Sequence, residues 1–93
     1  MTLEAQPGRE DDVAAFLLEA KTLVDREPGT RSWSGFRSGP TSFGIFDVFD
    51  NEHDRDAHLH GEVRKALENR GAELFSRAPV ITAVDVLAEK QPD

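Results

Sequence analysis

Residues 30–49 read TRSWSGFRSGPTSFGIFDVF. Two runs rich in aromatic and β-branched residues flank Gly39-Pro40-Thr41, a turn signal. The spacing predicts a hairpin, with one strand over Thr30–Gly39 and the next over Ser42–Phe49. The second strand decides the fold. Side chains alternate across a strand, so Phe43, Ile45, Asp47 and Phe49 share one face, and Gly44, Phe46 and Val48 share the other. A sheet covered by helices on one side alternates apolar and polar residues. Here both faces are apolar.

Toward the N-terminus, Thr2–Ala5 predicts the end of a short strand, closed by Pro7-Gly8. From Arg9 to Arg26 the spacing is helical: Val13, Phe16, Leu17, Ala20, Leu23 and Val24 form one stripe. Glu10, Asp11 and Asp12 fall in the first turn, where acids suit the helix dipole. Pro28-Gly29 ends this helix.

Toward the C-terminus, Asp50 or Asn51 can cap a second helix. It runs through His58, breaks at Gly61, and resumes with Val63, Ala66 and Leu67; Gly71 predicts a further break. After Pro79, the run VITAVDVL (Val80–Leu87) predicts a β-branched strand, again apolar on both faces. Residues 88–93 form a polar tail. The order is β-α-β-β-α-β over a single domain, residues 1–93. That is an α+β, ferredoxin-like arrangement: an antiparallel sheet with helices on one face. The two-sided strands predict a homodimer whose sheets pack face to face around a barrel-like core.

Composition removes several classes. A net charge of -7, with 11 scattered basic residues, argues against nucleic acid. No apolar run approaches the roughly 20 residues of a membrane span. The N-terminus lacks a basic segment followed by an apolar one, and the chain has no cysteine, so a cytoplasmic address is expected.

The three histidines lie close together, at His53, His58 and His60 in the segment around AHLHGE. On a helix His53 and His60 share a face and His58 points away, so three nitrogens do not converge and no metal is expected. Asp54 and Asp56 sit four residues before His58 and His60, the spacing of ordinary surface pairs. His58, before the break at Gly61, is the candidate acid-base group, because its ordinary pKa lies near 6.5. Asp47 stands among Phe43, Ile45 and Phe49 and needs a partner. Arg37 on the adjacent strand is the expected one. Trp33 and Phe36 lie on opposite faces of their strand, suited to core or to the walls of an aromatic pocket. Asp85 raises the same question as Asp47 with less context. No serine elbow, phosphate loop or tyrosine is present.

Pro7-Gly8-Arg9, Glu27-Pro28-Gly29-Thr30, Trp33, Phe43, Asp47 and Asp56-Ala57-His58-Leu59, in that order, resemble the antibiotic biosynthesis monooxygenase domain of the dimeric α+β barrel superfamily. The resemblance spans most of the chain. It implies a small dimer with one cavity per subunit between sheet and helices. It also implies cofactor-independent oxygenation of an aromatic, phenolic or quinol-like molecule, with no metal, flavin or haem. His58 matches the family's helix histidine and would be the base, with Trp33, Phe36, Phe46, Arg37 and Asp47 contacting substrate. The place often held by Trp before that helix is Phe49 here. No Asn precedes Asn51, which disfavours the haem-degrading branch. The alternatives are a non-enzymatic dimeric module holding an apolar metabolite, or an isomerase or decarboxylase using His58 with Asp47. Fold alone does not choose among them.

Overall fold

A computed structural model describes residues 1–90. Its elements are β1 (Thr2–Glu4), α1 (Glu10–Val24), β2 (Thr30–Arg37), β3 (Ser42–Phe49), α2 (Glu52–Leu59) and α3 (Glu62–Leu74). The three strands form one antiparallel sheet in the order β1-β3-β2.

The hairpin forms as its sequence predicts. β3 is the central strand, pairing Phe43 with Leu3 on one side and Asp47 with Trp33 on the other. Gly44 permits a close approach: a Cβ there would lie 2.3 Å from the Phe36 ring. Acidic residues crowd the first turn of α1. Asn51 caps α2, its side chain accepting from the Asp54 N–H at 2.8 Å. Asn, rather than Asp50, takes this role. The chain breaks around His60-Gly61, as expected, and α3 begins at Glu62.

Gly71 is a correction. α3 continues through it to Leu74. An interior glycine costs a helix roughly 1 kcal/mol relative to alanine. Burial of Leu67 and Leu74 on the same helix outweighs that.

The core lies between the sheet and the helices. Leu3, Phe43 and Ile45 from the strands meet Val13, Phe16, Leu17 and Ala20 of α1 and Val63, Leu67 and Leu74 of α3. Phe16 and Phe75 meet edge to face with centroids 6.3 Å apart. The other sheet face is bare: Phe36 and Phe46 are 46% and 47% exposed.

The strand expected over Val80–Leu87 is the second correction. Only Val80 pairs, through reciprocal bonds with Thr2 (2.9 and 3.1 Å). Residues 81–90 run on as an exposed arm without regular structure. The cause is the length of its neighbour. β1 is three residues long, so a strand alongside it finds one pairing position and then no ladder. Residues 88–90 are exposed, as a polar tail should be, and residues 91–93 lie outside the described residues. Among the described residues no helix is long and apolar enough to cross a membrane.

Candidate functional site

His58 is the one buried polar residue among those described. It stands at the end of α2, and its ring touches three separate parts of the chain. Nδ1 lies 2.5 Å from Glu27 Oε2, on the loop after α1. Nε2 lies 3.0 Å from Asp47 Oδ2, on β3. The Phe49 ring covers it at 5.1 Å between centroids. Both ring nitrogens therefore face carboxylates, an arrangement satisfied when each carries a proton and donates it. The hydrogen bond to Asp47 raises the His58 pKa above its usual 6.5; burial opposes the rise, and Glu27 adds to it. The site is thus an imidazole held between two carboxylates, which favour its protonated form.

Local structure explains the placement. The Asn51 cap starts α2 directly after β3, which sets His58 beside Asp47. Pro28-Gly29 reverses the chain between α1 and β2 and leaves Glu27 under the same ring. The Glu27 carboxylate is held in turn by the Thr30 hydroxyl at 2.9 Å. A side chain at Gly61 would meet Glu27 at 3.1 Å, so the helix break leaves room for this carboxylate.

The outcomes for the other residues differ. Asp47 does have a partner, but it is His58; Arg37 is not. Arg37 donates to the carbonyls of Gly39 and Pro40 and lies over the Phe43 ring at 5.1 Å. It holds the hairpin turn, because it pairs with Phe43, four residues along the strand from Asp47. Asp54 does not pair with His58; longer-range carboxylates take both nitrogens. His60 turns back to the Asp56 carbonyl at 2.8 Å. Among the described residues no group of three or more His, Asp or Glu is disposed to hold a metal ion.

A cleft of about 720 Å³ opens beside His58 and Asp47. Phe46, Val48 and Phe49 form one wall, residues 80–89 of the arm form another, and Arg31 and Arg55 stand at it as cations. Trp33, Phe36 and Arg37 line a separate recess of about 470 Å³ against α1. The structure thus divides the expected pocket in two: His58, Asp47 and Phe46 at the cleft, Trp33, Phe36 and Arg37 at the recess. Within the described residues the Trp33 indole N–H is buried without a hydrogen-bond partner. Such a group costs about 1–3 kcal/mol.

Glu27 is the residue that sequence reasoning missed as part of the site. It lies 31 positions from His58, and no spacing rule links them. The available signal was an acid directly before Pro28-Gly29, at the reversal that leads into the hairpin.

No family model matches the chain, and no curated protein matches it. Two solved structures are similar. Rv0793 from Mycobacterium tuberculosis shares 19% identity with a TM-score of 0.74, covering 94% of this chain and 93% of that one; at that identity the likeness concerns the fold. NE2512 from Nitrosomonas europaea, described as a protein of unknown function, has a TM-score of 0.94 and covers 99% of this chain and 89% of its own. With 43% identity over that span, the chain belongs to the same family as NE2512.

Proposed function

We propose that the cleft is a small-molecule site in which Asp47, steadied by His58 and Glu27, takes a proton from a phenolic, quinol-like or otherwise acidic aromatic compound. One observation carries this: His58 has no free nitrogen, whereas Asp47 shares the cleft with it and engages the ring through one of its two oxygens. The base is therefore Asp47, in place of the histidine that the sequence reading put forward. His58 orients the carboxylate, and Glu27 holds the imidazole from behind. A phenol that loses its proton becomes a stronger electron donor. With dioxygen as the oxidant, an anthrone-type carbon gains one oxygen atom as a carbonyl and the other leaves as water. The resemblance to antibiotic biosynthesis monooxygenases favours this outcome, and the chemistry needs no metal, flavin or haem because the substrate supplies the electrons.

The same reading takes the order as ferredoxin-like β-α-β-β-α-β, with Val80–Leu87 becoming its fourth strand only when a homodimeric α+β barrel forms around it. The Val80–Thr2 bridge supports the position beside β1. The bare Phe36 and Phe46 support the dimer.

Oxygen uptake with a panel of hydroquinones and anthrones tests the chemistry. Asp47→Asn is expected to lower kcat/KM by about 10²–10⁴-fold, with one water formed per oxygen molecule consumed. Absence of turnover above buffer on the whole panel, or full activity in Asp47→Asn, refutes it.

A second reading has its own support. An imidazolium satisfied on both sides is also what a purely structural tie between three elements looks like. A dimeric binding module would then hold an apolar molecule in the cleft without turnover. Thermal stabilisation by these compounds without oxygen uptake selects it.

A further inference from the structure

We propose that the recess against α1 is a second ligand site, separate from the cleft, and that it takes a small apolar molecule carrying a carboxylate. Neither the homodimer nor the cleft chemistry is needed for this.

The recess owes its opening to Gly35. Its walls are Leu17 and Leu18 of α1 and Trp33, Phe36 and Phe43 of the hairpin. Gly35 pairs with Ile45, a core residue, so a side chain there would point toward the helices. A Cβ at Gly35 would stand 3.2 Å from the Trp33 ring and 3.4 Å from the Leu17 side chain. Without it, the gap between β2 and α1 stays open. The volume of about 470 Å³ lies within the range of small-molecule pockets. Leu18 and Phe36, 74% and 46% exposed, are apolar surface on the same recess that a bound molecule covers.

Charge says what kind of molecule fits. The chain has 18 acids against 11 bases, yet the charged residues lining this recess are Lys21 and Arg37, with no acid beside them. Lys21 is already paired, donating to Asp25 at 2.7 Å. Arg37 meets no carboxylate among the described residues. Its Nε and Nη2 donate to the carbonyls of Gly39 and Pro40, which leaves Nη1 without a bond there. Those carbonyls hold the guanidinium in place without neutralising its charge. A planar, fixed guanidinium loses little freedom when it receives a carboxylate. The same wall holds a second unmet donor, the buried indole N–H of Trp33. A ligand acceptor that reaches it removes the cost of leaving it unpaired. The apolar walls ask that the rest of the molecule be hydrocarbon. The cleft differs. It sets Arg31 and Arg55 against Asp47, Glu52, Asp85 and Glu89, so it selects no single sign of charge.

A titration of octanoate against octanol tests this, with the chain's single tryptophan as reporter. The readouts are Trp33 emission and the NMR signals of the Trp33 indole N–H and the Gly35 amide. Octanoate is expected to bind saturably with a dissociation constant of about 1 mM or tighter. It should bind at least about 10-fold more tightly than octanol, and Arg37→Gln should weaken it at least about 10-fold. No saturable change up to about 10 mM, as when a second copy covers the recess, overturns the site. Equal affinity for octanoate and octanol, or full affinity in Arg37→Gln, overturns the proposed ligand. Shifts at His58 in place of Gly35 assign the ligand to the cleft and overturn the second site. The octanoate–octanol comparison uses the wild-type chain, so a weakened hairpin in Arg37→Gln does not decide the matter. The titration needs neither oxygen nor turnover, so its failure and the failure of the cleft chemistry are separate results.

Discussion

The packed layer beneath the helices and the arm past Val80 are built from similar residues with opposite results. Val13, Phe43, Ile45 and Leu74 are at most 4% exposed, whereas Val84, Val86 and Leu87 are 46–96% exposed. Hydrophobicity does not separate them, since Val and Leu occur in both. What separates them is whether the chain itself supplies a neighbour. α1 and α3 close over β3, but β1 is too short to receive the arm. Burial is a property of the partner as much as of the residue.

The largest effects should break the packed side of this comparison. Leu74→Ala leaves a cavity at a site with 0% exposure and should cost about 2–5 kcal/mol in urea unfolding. His58→Ala comes next. It leaves Glu27 and Asp47 facing each other without the cation between them. These carboxylates are about a quarter exposed, which softens the penalty of a fully buried pair, so about 2–3 kcal/mol is expected.

A part of that His58 contribution should be removable by pH alone. The folded pKa lies above the unfolded 6.5, so between the two values the folded chain binds more protons. The contribution is complete below about pH 6.5 and is lost as pH rises through the folded value. Unfolding curves from pH 6 to 9 should show stability falling in wild type, with a flatter profile in His58→Ala. Glu4 should act in the opposite sense. Hydrogen bonds from Thr41 and then Ser42 lower its pKa, so its stabilisation is lost as pH falls through that lowered value.

The smallest effect belongs to the arm. Leu87→Ala, at a side chain 96% exposed, should change the stability of a single chain by less than about 0.5 kcal/mol. If Leu87→Ala instead matches Leu74→Ala at high protein concentration and loses its effect on dilution, the arm is packed in solution by a second copy. Hydrogen exchange sharpens the same point: amides 81–87 should be protected only where dimers form.

Local order was legible in the sequence because its causes are local. The Ser42–Phe49 strand, the acidic start of α1, the Asn51 cap and the break at Gly61 each follow from residues within a few positions of one another. Gly71 was misread because helix propensity is a weak preference, and burial at Leu67 and Leu74 overrides it. The site was half legible. His58 stood out by type and Asp47 by its apolar company. Arg37 was a reasonable partner by strand adjacency, yet its hairpin register placed it on Phe43.

By itself, then, the sequence determined the hairpin and the helices, because periodicity and turn chemistry act over neighbouring residues. Tertiary structure alone decided that Glu27 and Asp47 would clasp His58 from opposite sides, dividing the expected pocket in two. It also decided that Val80–Leu87 would leave the sheet. Both outcomes depend on contacts between distant parts of the chain, set by which elements the core brings together.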